Sequence, residues 1–165
     1  MIKNNNPGNI RFSSANPWRG QIAGAVSSPP GFVVFDSLEN GYRALMILLQ
    51  NYISGGFNTI EKIITRYAPP AENNTQAYIN FVAGFTDIPP DEILQAGDLF
   101  RKVKIAQAIS EMEHSGTLSL GDVAALQAAA GKLGTNVDIE QQAGPNLAML
   151  IIGGLLLASY LSTRK

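Results

Sequence analysis

Cysteine is absent from this chain of 165 residues, and histidine occurs once, as His114. The first absence excludes a disulfide framework and any cysteine-based zinc, iron–sulfur or nucleophile chemistry. The second excludes a histidine-rich metal site, so no metal and no cofactor is expected. Charge is scarce too: Asp, Glu, Lys and Arg make up 15% of the residues, against roughly 25% in an ordinary soluble domain. Twelve basic against 13 acidic side chains leave a net charge of −1. Holding nucleic acid by counterion release needs a basic face, so nucleic acid is not an expected partner.

Hydrophobicity is what the chain has instead, at 45% of residues with a mean hydropathy of +0.06. Its placement is uneven. Residues 146–162 read NLAMLIIGGLLLASYLS without one charge and are followed by Thr163-Arg164-Lys165. The run is about 17 residues, the lower edge of what spans a bilayer core as a helix. Gly153-Gly154 would cost a helix in water roughly 2 kcal/mol against alanine, whereas small residues are common in membrane helices. Tyr160 suits an interface, and Arg164 and Lys165 can snorkel. This stretch predicts a C-terminal transmembrane helix, a single membrane anchor. No signal peptide is expected, since Met1-Ile2-Lys3 runs at once into Asn4-Asn5-Asn6.

The working part therefore lies N-terminal. Asn6-Pro7-Gly8-Asn9 is a turn signature. Short apolar pieces at 10–12, Gln21–Val26 and 32–35, separated by Pro17 and by Ser27-Ser28-Pro29-Pro30, read as strands or extended loops. The period then changes. Leu38, Tyr42, Leu45, Leu48, Leu49 and Tyr52 recur at three and four, with Ser37 as N-cap and Gly55-Gly56 as the stop. A second helix is expected over 59–67 and a third over 75–85. A short one follows at 91–95, and a longer one opens at Asp98 and runs to Gly116. Ser119 with Asp122 resembles a capping box for an alanine-rich helix. The expected class is mainly α, in an α+β arrangement. It divides into a domain over 1–116 with a small N-terminal loop and strand lobe, an accessory helix over 117–134, a linker over 135–145 and the membrane helix over 146–162.

Without cysteine or metal, chemistry falls to carboxylates, hydroxyls and tyrosines. Cleaving a glycan needs a carboxylic acid that protonates the leaving oxygen. Glu61 reads as a solvated charge and Glu39 as a first-turn residue favoured by the helix dipole. Glu72 lies in the loop Pro69-Pro70-Ala71-Glu72-Asn73-Asn74-Thr75 just ahead of a helix, and loops of this kind carry function. Glu113 lies at a helix C-terminus beside Glu111 and His114, where a carboxylate opposes the dipole. Either could be the acid, and either could be a solvated helix-end charge. His114 itself reads as a cap. Asn6, Asn9, Asn73, Asn74 and Thr75 offer amides and a hydroxyl to sugar hydroxyls, while Trp18, Tyr42, Tyr67 and Tyr78 could stack on sugar rings. Tyr42 and Tyr78 also read as packing.

The motifs Asn4-Asn5-Asn6-Pro7-Gly8-Asn9-Ile10-Arg11, Trp18-Arg19-Gly20, Phe35-Asp36-Ser37 and Gly41-Tyr42-Arg43-Ala44-Leu45, with the segment from Arg66-Tyr67-Ala68-Pro69-Pro70 to Gln76-Ala77-Tyr78-Ile79, resemble a family of phage and prophage virion-associated structural proteins. The resemblance covers about residues 3–116. That family in turn weakly resembles lysozyme-like muralytic domains, the glucosaminidases and lytic transglycosylases. Ala108-Ile109-Ser110-Glu111-Met112-Glu113-His114-Ser115-Gly116 is similar to their glutamate-bearing helix end. The resemblance implies a lysozyme-like fold and cleavage of the peptidoglycan glycan strand during host entry, with Glu113 as first and Glu72 as second catalytic candidate. Asn6, Asn9, Trp18, Asn73, Asn74, Thr75 and Tyr78 would bind substrate, and peptidoglycan, a lipid membrane (the virion's own or the bacterial one, holding the C-terminal anchor) and capsid proteins would be partners. The alternative is a non-catalytic virion membrane or structural protein that keeps a degenerate domain of this kind.

Overall fold

A computed structural model describes residues 2–15, 17–27 and 31–133. A single 3-10 turn over Lys3–Asn5 holds Asn4 and Asn5 at φ of 60° and 51°, and Asn9 stands at 45°. Left-handed backbone is costly for most L residues, but asparagine tolerates it. The Asn-rich motif is thus first a backbone device. Asn6 locks it: fully buried, its Nδ2 donates to the carbonyls of Ile10 and Val33, both at 3.0 Å, and its Oδ1 accepts from the Ile10 amide at 2.9 Å. Asn5 Nδ2 donates to the Phe35 carbonyl at 3.0 Å. These bonds fasten the turn to a small antiparallel sheet of β1 (Gln21–Val26) and β2 (Val33–Phe35). Gln21 pairs with Phe35 and Val26 with Val33, so β1 bulges between them. Arg11 makes an isolated bridge to Phe32 on the same layer.

Five helices follow among the described residues. Ser37 Oγ accepts from the Asn40 amide and opens α1 (Leu38–Ser54), which stops at Gly55. Thr59 Oγ1 does the same for α2 (Ile60–Tyr67) and Asn74 Oδ1 for α3 (Thr75–Thr86). Asp98 Oδ1 caps α4 (Leu99–His114) at 3.0 Å from the Arg101 amide. Before α5 (Leu120–Leu133), Ser119 and Asp122 bond reciprocally, amide to carboxylate at 2.8 Å and amide to hydroxyl at 3.2 Å. Each cap satisfies a donor that the first turn would leave open.

The core is mostly aliphatic: Tyr42, Leu45, Met46 and Leu49 of α1, Ile60, Ile63 and Ile64 of α2, Val82 of α3, and Ile105 and Ile109 of α4 are all fully buried. Burying each such side chain stabilises by about 1.5–3 kcal/mol. α1 packs against α4 and α5, and α3 against α2 and α4. Gly41 lets α1 lie directly on the N-terminal turn, since a Cβ there would stand 1.9 Å from the Asn5 carbonyl oxygen.

The structure corrects the expected class in its membrane-spanning element, for which it gives no support. The described chain is mainly helical with one two-stranded sheet, and no helix among the described residues is long and apolar enough to cross a membrane. The longest, α1, has 17 residues but carries Glu39 and Arg43, where a span needs about 20 predominantly apolar ones. The expected C-terminal transmembrane helix at 146–162 and the linker at 135–145 lie outside the described residues. The short helix expected over 91–95 is not formed. There Pro90 gives its carbonyl to the Glu61 amide at 2.9 Å and Leu94 donates to the Asn58 carbonyl at 2.8 Å, so the segment is drawn out along the start of α2.

Candidate functional site

The C-terminal end of α4 is where the N-terminal Asn-rich turn and the first turn of α3 meet. Glu113 stands in the last turn, half-buried. Its Oε2 accepts from Asn9 Nδ2 at 2.7 Å and its Oε1 from the Tyr78 hydroxyl at 2.9 Å. Asn9 comes from the Pro-Gly turn at the start of the chain, and Tyr78 from the first turn of α3. One carboxylate therefore joins segments 104 and 35 residues away in sequence. Next to it, His114 Nε2 lies 3.3 Å from the Asn6 carbonyl. One turn earlier, Ser110 Oγ lies 3.1 Å from the buried Tyr42 hydroxyl.

A second tyrosine stands behind the first. Tyr67, the last residue of α2, sets its ring edge-on to Tyr78 with centroids 6.4 Å apart. Part of the residue remains accessible, yet its hydroxyl turns inward and donates to the Gly8 carbonyl. That contact braces the turn that presents Asn9. Gly8 leaves room for this contact, since a Cβ would meet the Tyr67 hydroxyl at 2.7 Å and Leu45 Cδ1 at 2.8 Å and push one of them aside. Burial pushes both phenols well above the ordinary tyrosine range, reinforced at Tyr67 by Glu113 and Tyr52 and at Tyr78 by Tyr67 and Glu113. Both keep their protons at neutral pH, so Tyr78 faces Glu113 as a donor.

Glu72 is placed differently. It lies in a turn where its amide donates to the Pro69 carbonyl at 3.0 Å, and its carboxylate pairs with Arg11 at 2.5 Å. Both side chains are more than half exposed, at 53% and 63%. The other sequence candidates divide. Asn9 and Tyr78 join Glu113. Asn6 is consumed by the buried turn, Asn74 by the cap of α3, and Thr75 by a hydrogen bond from its hydroxyl to the Ala68 carbonyl. Asn73 is exposed in the Glu72 turn, and Trp18 is half-buried ahead of β1, its amide donating to Gln21 Oε1 at 3.3 Å. Tyr67 as the brace of the Asn9 turn was not visible in the sequence. A tyrosine closing the Ile60, Ile63, Ile64 face was the available signal.

Chemically the cluster offers one carboxyl group, held in a fixed orientation by an amide and a phenol. Among the described residues no three His, Asp or Glu side chains converge to hold a metal ion. An open groove elsewhere is lined by Phe57, Glu61, Lys62, Thr65 and Arg66, the Arg66 guanidinium lying 4.5 Å from the Phe57 ring centre.

No protein-family model matches the chain. It is 40% identical over 96 residues to Protein P5 of Pseudoalteromonas phage PM2, a match that covers 56% of this chain and 59% of that protein. The chain thus spans less than two thirds of the curated relative it matches. The similarity is to a phage protein, in keeping with the expected phage or prophage kinship, and the resemblance to lysozyme-like domains receives no support from it.

Proposed function

We propose that this is a virion-associated phage protein that cleaves the glycan strand of peptidoglycan during host entry, with Glu113 as the general acid. The observation that carries the reading is the convergence of Asn9, from the N-terminal Asn-rich turn, and Tyr78, from the first turn of α3, on one carboxylate at a helix end. Breaking a glycosidic bond requires a proton on the leaving oxygen as the C1–O pair departs, and an acid positioned for it contributes about 10²–10⁴-fold. Asn9 and Tyr78 hold the Glu113 carboxyl to one orientation, which is what a directed proton transfer needs. Glu72, paired with Arg11 in the open, is the weaker candidate for the acid.

The test is a zymogram of the full chain on purified peptidoglycan, beside Glu113→Gln and the exposed Glu61→Gln. The parent and Glu61→Gln are expected to clear and Glu113→Gln to lose at least about a hundredfold. Clearing by Glu113→Gln would remove it as the acid. No clearing by the parent would overturn the enzyme.

A second reading is a non-catalytic virion structural protein. It is favoured by the same carboxylate, since both Glu113 oxygens are already taken by donors of the protein itself. Glu113 would then be a tie between α4, α3 and the N-terminal turn. In that case the parent leaves peptidoglycan intact while Glu113→Gln lowers the unfolding midpoint.

A further inference from the structure

The segments that meet at Glu113 are bridged twice. Asn9 and Tyr78 share its carboxylate, and Arg11 pairs with Glu72. Arg11 is two residues from Asn9, so their Cα atoms lie within about 7 Å. Its backbone is fixed by the bridge to Phe32, and the neighbouring Phe12 amide donates to the Gly31 carbonyl at 2.8 Å. Only the guanidinium end is free to choose a partner. We propose that Arg11 is a specificity residue that takes a carboxylate of the substrate strand in place of Glu72, so that the site selects acidic amino-sugar strands over uncharged ones. This rests on the reading of Glu113 as the acid of a glycan-cleaving site.

The chemistry fits. A guanidinium presents a planar fork that matches a carboxylate at two points. An ion pair this exposed shifts an equilibrium by only a few-fold, so an arriving carboxylate exchanges with Glu72 at little cost. Peptidoglycan carries such groups, on the lactyl ether when the peptide is removed and on the peptide stem when it is present. A strand of N-acetylglucosamine alone carries none. Glu72 is then an internal stand-in for the substrate's charge.

The roles of the two residues predict opposite signs, which a merely structural clasp would not. Binding is measured calorimetrically on the full chain in the Glu113→Gln background, so turnover does not enter. The probes are a peptide-free peptidoglycan tetrasaccharide, the same tetrasaccharide with its peptides, and an N-acetylglucosamine tetrasaccharide of equal length. At least one acidic strand is expected to bind about threefold or more tightly than the uncharged one, with the margin shrinking as salt is raised. Which acidic strand it is identifies the carboxylate as lactyl or stem. Arg11→Gln should erase the preference, Arg11→Lys should keep part of it, and Glu72→Gln should enlarge it.

Equal binding of all three strands would overturn the proposal, as would Arg11→Gln and Glu72→Gln moving affinity in the same direction. Selective binding without clearing by the parent would remove the enzyme and leave the selectivity standing. Clearing without selective binding would do the reverse.

Discussion

At the scale of single residues, the site depends on phenols that stay protonated. Tyr78 and Tyr67 are raised above the ordinary tyrosine value of 10.0, chiefly by burial. In the unfolded chain both release their protons near pH 10, while in the folded chain they hold them. Their contribution is therefore complete below pH 10 and is lost as pH climbs from there towards the folded values. For a buried phenol such as Tyr78 the loss is about 1.4 kcal/mol per pH unit. Urea midpoints taken from pH 8 to 11 should fall above pH 10, and Tyr78→Phe should flatten the fall while lowering the pH 8 value. A parent midpoint level to pH 11 would show that the folded protein does not hold those protons. The same residues show how far the sequence could be read. Asn9, Tyr78 and Glu113 each stood out by type and motif, but nothing in their spacing joins residues 9, 78 and 113. Asn6 stood out for the wrong reason: an amide suited to a sugar hydroxyl is equally suited to three buried backbone groups, and burial decides between them.

At the scale of elements, periodicity was enough for the five described helices, and capping residues marked the starts of three of them. Ser37, Thr59, Asn74 and Asp98 each bond the amide three residues on, as a side chain at an N-cap does. The exception, residues 91–95, was decided by partners elsewhere in the chain: the open Glu61 amide at the start of α2 and the Asn58 carbonyl compete with a local helical turn and win. Elements also meet at surfaces the sequence does not advertise. Gly41 interrupts α1, where alanine would favour the helix by about 1 kcal/mol. Yet a Cβ there would lie 1.9 Å from a backbone oxygen and 2.7 Å from Pro7 Cδ. Neither neighbour is the free end of a flexible side chain. Gly41→Ala should therefore destabilise, by about 1–3 kcal/mol net of the gain in helix propensity. Because α1 would move off the turn that carries Asn9, it should also reduce any peptidoglycan clearing. A Gly41→Ala protein as stable as the parent would mean that α1 and the turn are not in the contact described.

At the scale of the molecule, the Asn-rich turn stands between β2, α1 and the end of α4, so a short N-terminal stretch links the sheet to the helices. This wiring is long-range and polar, and so was not legible from patterns that are local and apolar. The same reasoning bears on α5. Its alanine-rich sequence reads as an accessory helix, but Leu126, Ala129 and Ala130 are buried, and its Lys132 pairs with Glu39 in the first turn of α1. Small side chains bring α5 close to α1, whose own buried face they cover. If α5 belongs to the cooperative core, Leu126→Ala opens a cavity that every other helix registers, and the single unfolding transition shifts by about 2–4 kcal/mol. If α5 is a separate appendage, the substitution melts it alone, and the transition followed by tyrosine signals from α1, α2 and α3 stays where it is. The packing against both α1 and α4 favours the first outcome. A midpoint unchanged in Leu126→Ala by tyrosine fluorescence would move the boundary of the folding unit back to the end of α4.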